Sequence, residues 1–178
     1  MQIPVLTTER LTLRAVRVDD FDDCLALWTN PVVTRYIGGR VSTGDETWVR
    51  LQRYAGMWQL LGYGYWIVQE TSSGDYVGDL GFGDHRRAME PSIVGIPEVG
   101  WAFKPAYFGR GYATEAVRAA LVWSDANLAD ARTVCIISPA NLASIRVAEK
   151  CGFGDSQLAT FNGDPTLLFT RHARTLAL

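Results

Sequence analysis

Two glycines stand where a short apolar run gives way to a helical pattern, in Trp101-Ala102-Phe103-Lys104-Pro105-Ala106-Tyr107-Phe108-Gly109-Arg110-Gly111-Tyr112-Ala113-Thr114-Glu115-Ala116. Such a turn aims unpaired backbone N–H groups at one point, and the helix dipole adds partial positive charge there. The chemistry on offer is the holding of a phosphate or pyrophosphate. Three readings compete. A dinucleotide fingerprint wants a glycine where Thr114 stands and an acid at the end of the next strand. That strand ends at Ser138-Pro139, and Asp130 precedes it. A nucleotide-triphosphate loop wants Gly-Lys-Ser/Thr before the helix, and Gly111-Tyr112-Ala113 offers no lysine. The third reading is a turn whose glycines serve shape alone.

A second constellation changes the balance. Asn141-Leu142-Ala143-Ser144-Ile145-Arg146-Val147-Ala148-Glu149-Lys150-Cys151-Gly152-Phe153 follows the next strand. Together with Phe108 to Ala113 it resembles the GNAT superfamily of acyl-CoA N-acyltransferases. More narrowly it resembles the branch typified by ribosomal-protein N-terminal acetyltransferases of the RimJ/RimL type. The stretches Thr8 to Arg14, Asn30 to Gly39 and Glu98-Val99-Gly100-Trp101 resemble that branch too. Phe108 departs from the broad superfamily, where Gln or Arg is usual, and agrees with the narrower branch. The resemblance covers nearly the whole chain.

The resemblance implies an acetyl-CoA-dependent N-acetyltransferase that moves an acetyl group directly to a primary amine, with no metal. The implied acceptor is a protein N-terminus or a small amine. The cofactor arm is expected along Trp101, Ala102 and Phe103, where two parallel strands splay. The pyrophosphate is expected on the backbone of Gly109, Arg110, Gly111, Tyr112 and Ala113, flanked by Phe108 and Thr114. Asn141 is implied as a partner of the cofactor arm, beside its ordinary reading as a helix cap. Glu98 is the implied base, acting through water; its other reading is a solvated strand-end carboxylate. Ser144 is the implied proton donor to the leaving thiolate; its other reading is a first-turn serine bonded to the backbone. Members that use a tyrosine acid place it where this chain has Ala148, and those with a strand glutamate place it at Ile136. These departures keep open a catalytically silent acyl-CoA sensor of the same fold. The acceptor pocket is expected among Trp28, Tyr36, Trp48, Trp58, Tyr63, Asp79, Asp84, His85 and Phe161.

The elements that must position these groups are legible from periodicity and punctuation. Leu11 and Leu13 alternate with Thr12 and Arg14 as a strand. Asp19 and Asp20 are expected to cap a helix carrying Phe21, Cys24, Leu25 and Trp28, ended by Asn30-Pro31. Ser42 or Thr43 starts a second helix with Trp48, Leu51, Tyr54, Ala55 and Trp58 on one face. Strands at 65–69 and 76–82 flank the turn Ser72-Ser73-Gly74-Asp75. Residues 85–95 read as loop. Strand 97–103, helix 112–126 and strand 133–137 form one crossover, which pairs parallel strands. A helix after Asn141, closed by Gly152, precedes strands near 153–161 and 166–171. The fold class is α/β or α+β; the resemblance adds a largely antiparallel sheet with splayed parallel strands, and helices on both faces.

Length and composition fit a single domain over residues 1–178, 48% hydrophobic with net charge −2. That charge does not suit a nucleic-acid-coating protein. No apolar run approaches a membrane span, and no signal pattern opens the chain. Cys24, Cys135 and Cys151 read as small buried hydrophobes in a reducing, cytoplasmic setting. A homodimer is left open.

Overall fold

The computed structural model describes residues 2–128 and 132–173; Asp130 lies outside the described residues. The strands are β1 (Leu6–Thr7), β2 (Leu11–Arg14), β3 (Tyr65–Glu70), β4 (Tyr76–Gly83), β5 (Met89–Glu90), β6 (Glu98–Phe103), β7 (Arg132–Ile137), β8 (Asp155–Phe161) and β9 (Asp164–His172). The helices are α1 (Phe21–Trp28), α2 (Pro31–Thr34), α3 (Gly44–Leu61), α4 (Tyr112–Asn127) and α5 (Leu142–Lys150). The strands form one sheet in the order β1-β2-β3-β4-β6-β7-β9-β8-β5. Every pairing is antiparallel except β6 with β7, the crossover expected from the sequence.

The sheet is covered on both faces because its strands alternate. Val99 and Phe103 of β6 join Leu80 and Phe82 of β4 in a core closed by Ala116, Val117, Ala120 and Leu121 of α4 and Ala148 of α5. Ala102 joins Cys24, Leu27, Trp28 and Leu51 in a second core under α1 and α3. Trp58, Trp66 and Trp123 meet edge-on, with ring centroids 4.7 to 5.3 Å apart, a favourable aromatic geometry.

The caps explain most boundaries. Thr43 accepts from Glu46 N–H while Glu46 reaches back to Thr43 N–H, a capping box that starts α3. At the end of α5, Gly152 N–H donates to the Glu149 carbonyl and Phe153 N–H to that of Ala148. That is a Schellman closure, with Gly152 at φ 89°.

Four expectations need correction. Asp20 makes no side-chain cap for α1. Its carboxylate is committed to the Arg14 guanidinium at 2.6 and 2.8 Å and to Arg17 N–H at 2.6 Å. Trp48 is 39% exposed and leans on Phe21, so it lies at the border of the α3 stripe; Ala55 is exposed outright. Pro31 ends α1 but also opens the single turn α2, with Asn30 accepting from Val32 N–H. The 85–95 loop contains β5, which pairs Met89 with Phe161.

Candidate active site

β6 and β7 share a single register pair, Glu98 with Val134, next to a bond from Val134 N–H to the Pro97 carbonyl. Beyond it the strands part. On its other side β6 is paired with β4 along its whole length, from Glu98 opposite Gly83 to Phe103 opposite Gly78. The β7-facing edge from Val99 to Phe103 is therefore open backbone, able to take an extended ligand as an extra strand.

The open edge leads through the turn Pro105–Tyr107 to α4. Gly109 and Gly111 have φ of 74° and 80°, the left-handed region that glycine enters without strain. Gly111 is the cap residue of α4, and no side chain caps that helix. Its first N–H groups are thus left for a ligand. Phe108, Gly109, Arg110 and Gly111 are exposed, whereas Ala113 and Thr114 are half-buried. Tyr112 contributes only its backbone, because its side chain is buried and bonded to Glu70. Arg110 stacks on Tyr107, 5.4 Å from the ring centre.

The turn is braced from far away in sequence. Arg10 Nε donates to Glu115 Oε2 at 2.7 Å, Thr8 Oγ1 donates to Glu115 Oε1 at 2.6 Å, and Arg10 Nη1 donates to the Arg110 carbonyl at 3.0 Å. The Arg10 guanidinium also covers the Tyr112 ring at 4.6 Å. Partial burial pushes the Glu115 carboxyl up, but the hydrogen bonds from Thr8 and Arg10 outweigh it and hold the group below the usual carboxylate range.

At the splay a cavity of about 990 Å³ brings together Glu98, Gly100, Trp101, Ser138, Asn141 and Ser144. It extends past Tyr65, Asp79 and His85 to Trp28, Tyr36 and α3, and past Phe161 in the β8–β9 hairpin. Of the expected acceptor residues, Trp28, Tyr36, Asp79, Asp84, His85 and Phe161 line it. Trp48, Trp58 and Tyr63 do not; Trp58 is core and donates its Nε1–H to the Tyr65 carbonyl. Asn141 caps α5 by accepting from Ser144 N–H at 3.2 Å, and both residues reach the cavity from that helix start.

Glu98 is not a solvated strand end. It is 4% exposed, and Arg87 grips both its oxygens, with Nε at 2.7 Å and Nη2 at 2.9 Å. Each oxygen keeps a second lone pair, so a water can still be held there. His85 lies in the same cavity, and burial holds its pKa below the ordinary value despite the opposing charge of Glu98. Its imidazole is therefore neutral at pH 7 and able to accept a proton. Tyr65 stacks flat on Tyr54 at 4.3 Å, and its hydroxyl occupies the space beside Gly100 where a Cβ would stand 2.6 Å away. Asp79 is fully buried; it accepts from Trp28 Nε1 at 2.9 Å, Tyr54 Oη at 3.0 Å and Tyr76 Oη at 3.2 Å. Burial pushes its carboxyl up to about 6 against the nearby Arg50 and those bonds.

Sequence reading misses Arg87, Tyr54, Tyr65 and Arg50 as cavity residues. Arg87 sits in a segment without periodicity, and its only signal is a basic pair upstream of Glu98. The two tyrosines read as ordinary helix and strand residues. The three cysteines are free and buried, and desolvation pushes the Cys151 thiol up to about 11, which makes it a poor nucleophile. Among the described residues no helix is long and apolar enough to cross a membrane, and no cluster of His, Cys, Asp and Glu could hold a metal.

A family model described as an acetyltransferase (GNAT) domain matches residues 10–154. The uncharacterized protein YkkB of Bacillus subtilis (strain 168) is 29% identical over 170 residues, 93% of this chain and 94% of its own. A solved structure assigned to GnaT-family acetyltransferases, from Bordetella pertussis, is 34% identical. It superposes with a TM-score of 0.83 over 95% of this chain and 99% of its own. AAC(6')-Ib, solved in complex with paromomycin and acetyl-CoA, shares the fold at 18% identity, with a TM-score of 0.74 over 92% and 94%. With the fold, the open strand edge, the uncapped helix start and these matches together, the chain belongs to the GNAT family of acetyltransferases.

Proposed function

We propose that the chain is an acetyl-CoA-dependent N-acetyltransferase of the RimJ/RimL-like branch that acts on a primary amine, of a protein N-terminus or a small molecule, in the cytoplasm. The observation that carries this is the continuous path from the cavity, along the open edge of β6, to the uncapped start of α4. In this reading Trp101, Ala102 and Phe103 pair with the pantetheine arm through their backbone. The N–H groups from Gly109 to Ala113 hold the pyrophosphate, with Phe108 and Thr114 flanking it, and Asn141 meets the arm near the thiol. The branch assignment rests on the motifs at Thr8–Arg14, Asn30–Gly39 and Phe108. The cytoplasmic setting is in keeping with three free, buried cysteines.

The reaction needs a neutral amine, because an ammonium has no lone pair for the thioester carbon. Glu98 takes the amine proton through a water. The nitrogen then attacks the carbonyl, and an N–H of the β6 edge steadies the oxyanion. The C–S bond breaks, the departing thiolate takes a proton from the Ser144 hydroxyl, and the second proton of the attacking nitrogen leaves through water and restores that hydroxyl. The neutral imidazole of His85 supports a second reading, in which it is the base.

Two measurements test the proposal. Calorimetric titration with acetyl-CoA should show binding, and a screen of amines and peptides should release free CoA thiol. An absence of acetyl-CoA binding overturns the reading. Binding without turnover across the screen selects the silent sensor.

A further inference from the structure

Resting on the acetyltransferase reading, we propose that the acceptor is a small primary amine that also carries an acidic group, a carboxylate or a phosphate. Arg50 and Arg53 of α3, with Arg35 of the same cavity, form the site that receives that group.

The cavity's acids are already matched. Glu98 is held by Arg87, Asp79 accepts three hydrogen bonds from Trp28, Tyr54 and Tyr76, and Asp84 pairs with Arg86 at 3.5 Å. Asp164 lies at the exposed rim of the hairpin. The arginines are matched less closely: Arg50 feels the charge of Asp79 and the Tyr54 hydroxyl without an ion-pair contact. Among the described residues, no carboxylate comes within ion-pair distance of Arg35, Arg50 or Arg53. Of the two acids at the start of α3, Glu46 is committed to Arg40 and to Thr43 N–H, and Asp45 is exposed in a shallow second pocket beside Arg50 and Arg53, beyond ion-pair distance of either.

Arg50 is the most telling. Its guanidinium lies 3.5 Å over the Trp28 ring, and its Nε is shielded from solvent with no acceptor. A buried donor left unmade costs the full desolvation of that group. A guanidinium does not relieve the cost by losing its proton. Arg53 follows one helical turn later and lines the same cavity. A planar fork of this kind matches carboxylate and phosphate oxygens, and the resulting bonds are charge-assisted. An arginine without an ion-pair partner offers a polycation such as paromomycin no attraction at this end of the cavity. An acceptor with its acid at Arg50 can direct its amine toward the Glu98 end, because both ends belong to one cavity.

The test is calorimetry on the CoA complex with matched probes: β-alanine against propylamine, and O-phosphoethanolamine against ethanolamine. The acidic member of a pair should bind more tightly by about ten-fold or more, the equivalent of one charge-assisted contact. The pair with the larger gap tells carboxylate from phosphate. Arg50→Gln should erase the gap and Arg50→Lys should keep part of it. If Arg50→Gln does not fold, Arg53→Gln, at an exposed position, should narrow the gap instead. Equal binding within both pairs, or tighter binding of paromomycin or of an acidic tetrapeptide, overturns the proposal. A preceding titration with CoA alone separates the two failures. No CoA binding removes the acetyltransferase reading and this inference with it; CoA binding without acid preference removes only this inference.

Discussion

Asp79 shows how a single residue reports on the cavity. Its carboxyl is raised from 3.8 to about 6 by burial, while in the unfolded chain it titrates near its ordinary value. Between those two pH values the native state keeps the proton and the unfolded state has lost it. Stability therefore falls as pH rises from about 4 to 6, by a total on the order of 3 kcal/mol. Asp79→Asn lacks this titration, so the melting-temperature difference between wild type and variant should change across that window and level off above it. A difference that stays constant with pH would show that the buried carboxyl is not raised. Glu98 carries a kinetic prediction. Glu98→Gln should lower the rate mainly below the pKa of the acceptor amine, where a base is needed, and much less above it. A pH-independent loss would reassign the residue to holding Arg87, and a matching His85→Gln profile would identify the imidazole as the base.

At the scale of elements, the phosphate turn depends on its own glycines and on a brace from the turn between β1 and β2. Gly111→Val places a β-branched side chain at φ 80°, where it is strained, and its Cβ would stand 3.6 Å from Arg10 Nη2. Acetyl-CoA affinity should fall by about ten-fold or more while the circular dichroism spectrum of the fold persists. Undiminished affinity would move the pyrophosphate elsewhere. Arg10→Ala should weaken acetyl-CoA binding without altering kcat at saturation, because it loosens the turn and touches no reacting atom. A fall in kcat alone would contradict that role. The turn and its helix were legible from spacing, because Gly109, Gly111 and the Ala116-Ala120 stripe obey local rules. The brace was not, since nothing local ties Arg10 to Glu115. The same holds for Asp20: its type announced a cap, but a buried arginine outcompeted the backbone N–H groups for its oxygens.

For the molecule as a whole, the one parallel pair followed from the crossover logic, and the alternation of β6 puts Val99 and Phe103 in one core and Ala102 in the other. Short elements escaped because two-residue strands and a single turn have no period to read: β1, β5 and α2 are fixed by their neighbours. The cavity escaped in part for a related reason, as its walls come from α3, β3, β4, the Arg87 loop and the last hairpin, which only the fold assembles. A whole-molecule test of the splay is amide hydrogen exchange. Acetyl-CoA should slow exchange from Val99 to Phe103 and at the start of α4, and leave β8 unchanged; uniform protection would deny a strand-like seat for the ligand. The tryptophans have an optical consequence. Trp58, Trp66 and Trp123 touch one another in the core, whereas Trp28 and Trp101 line the cavity. Coupled indoles give a near-ultraviolet dichroic signature that vanishes only when the core comes apart, while emission from the cavity indoles responds to whatever settles beside them. One unlabelled sample therefore carries two separate spectral channels, one for unfolding and one for occupancy.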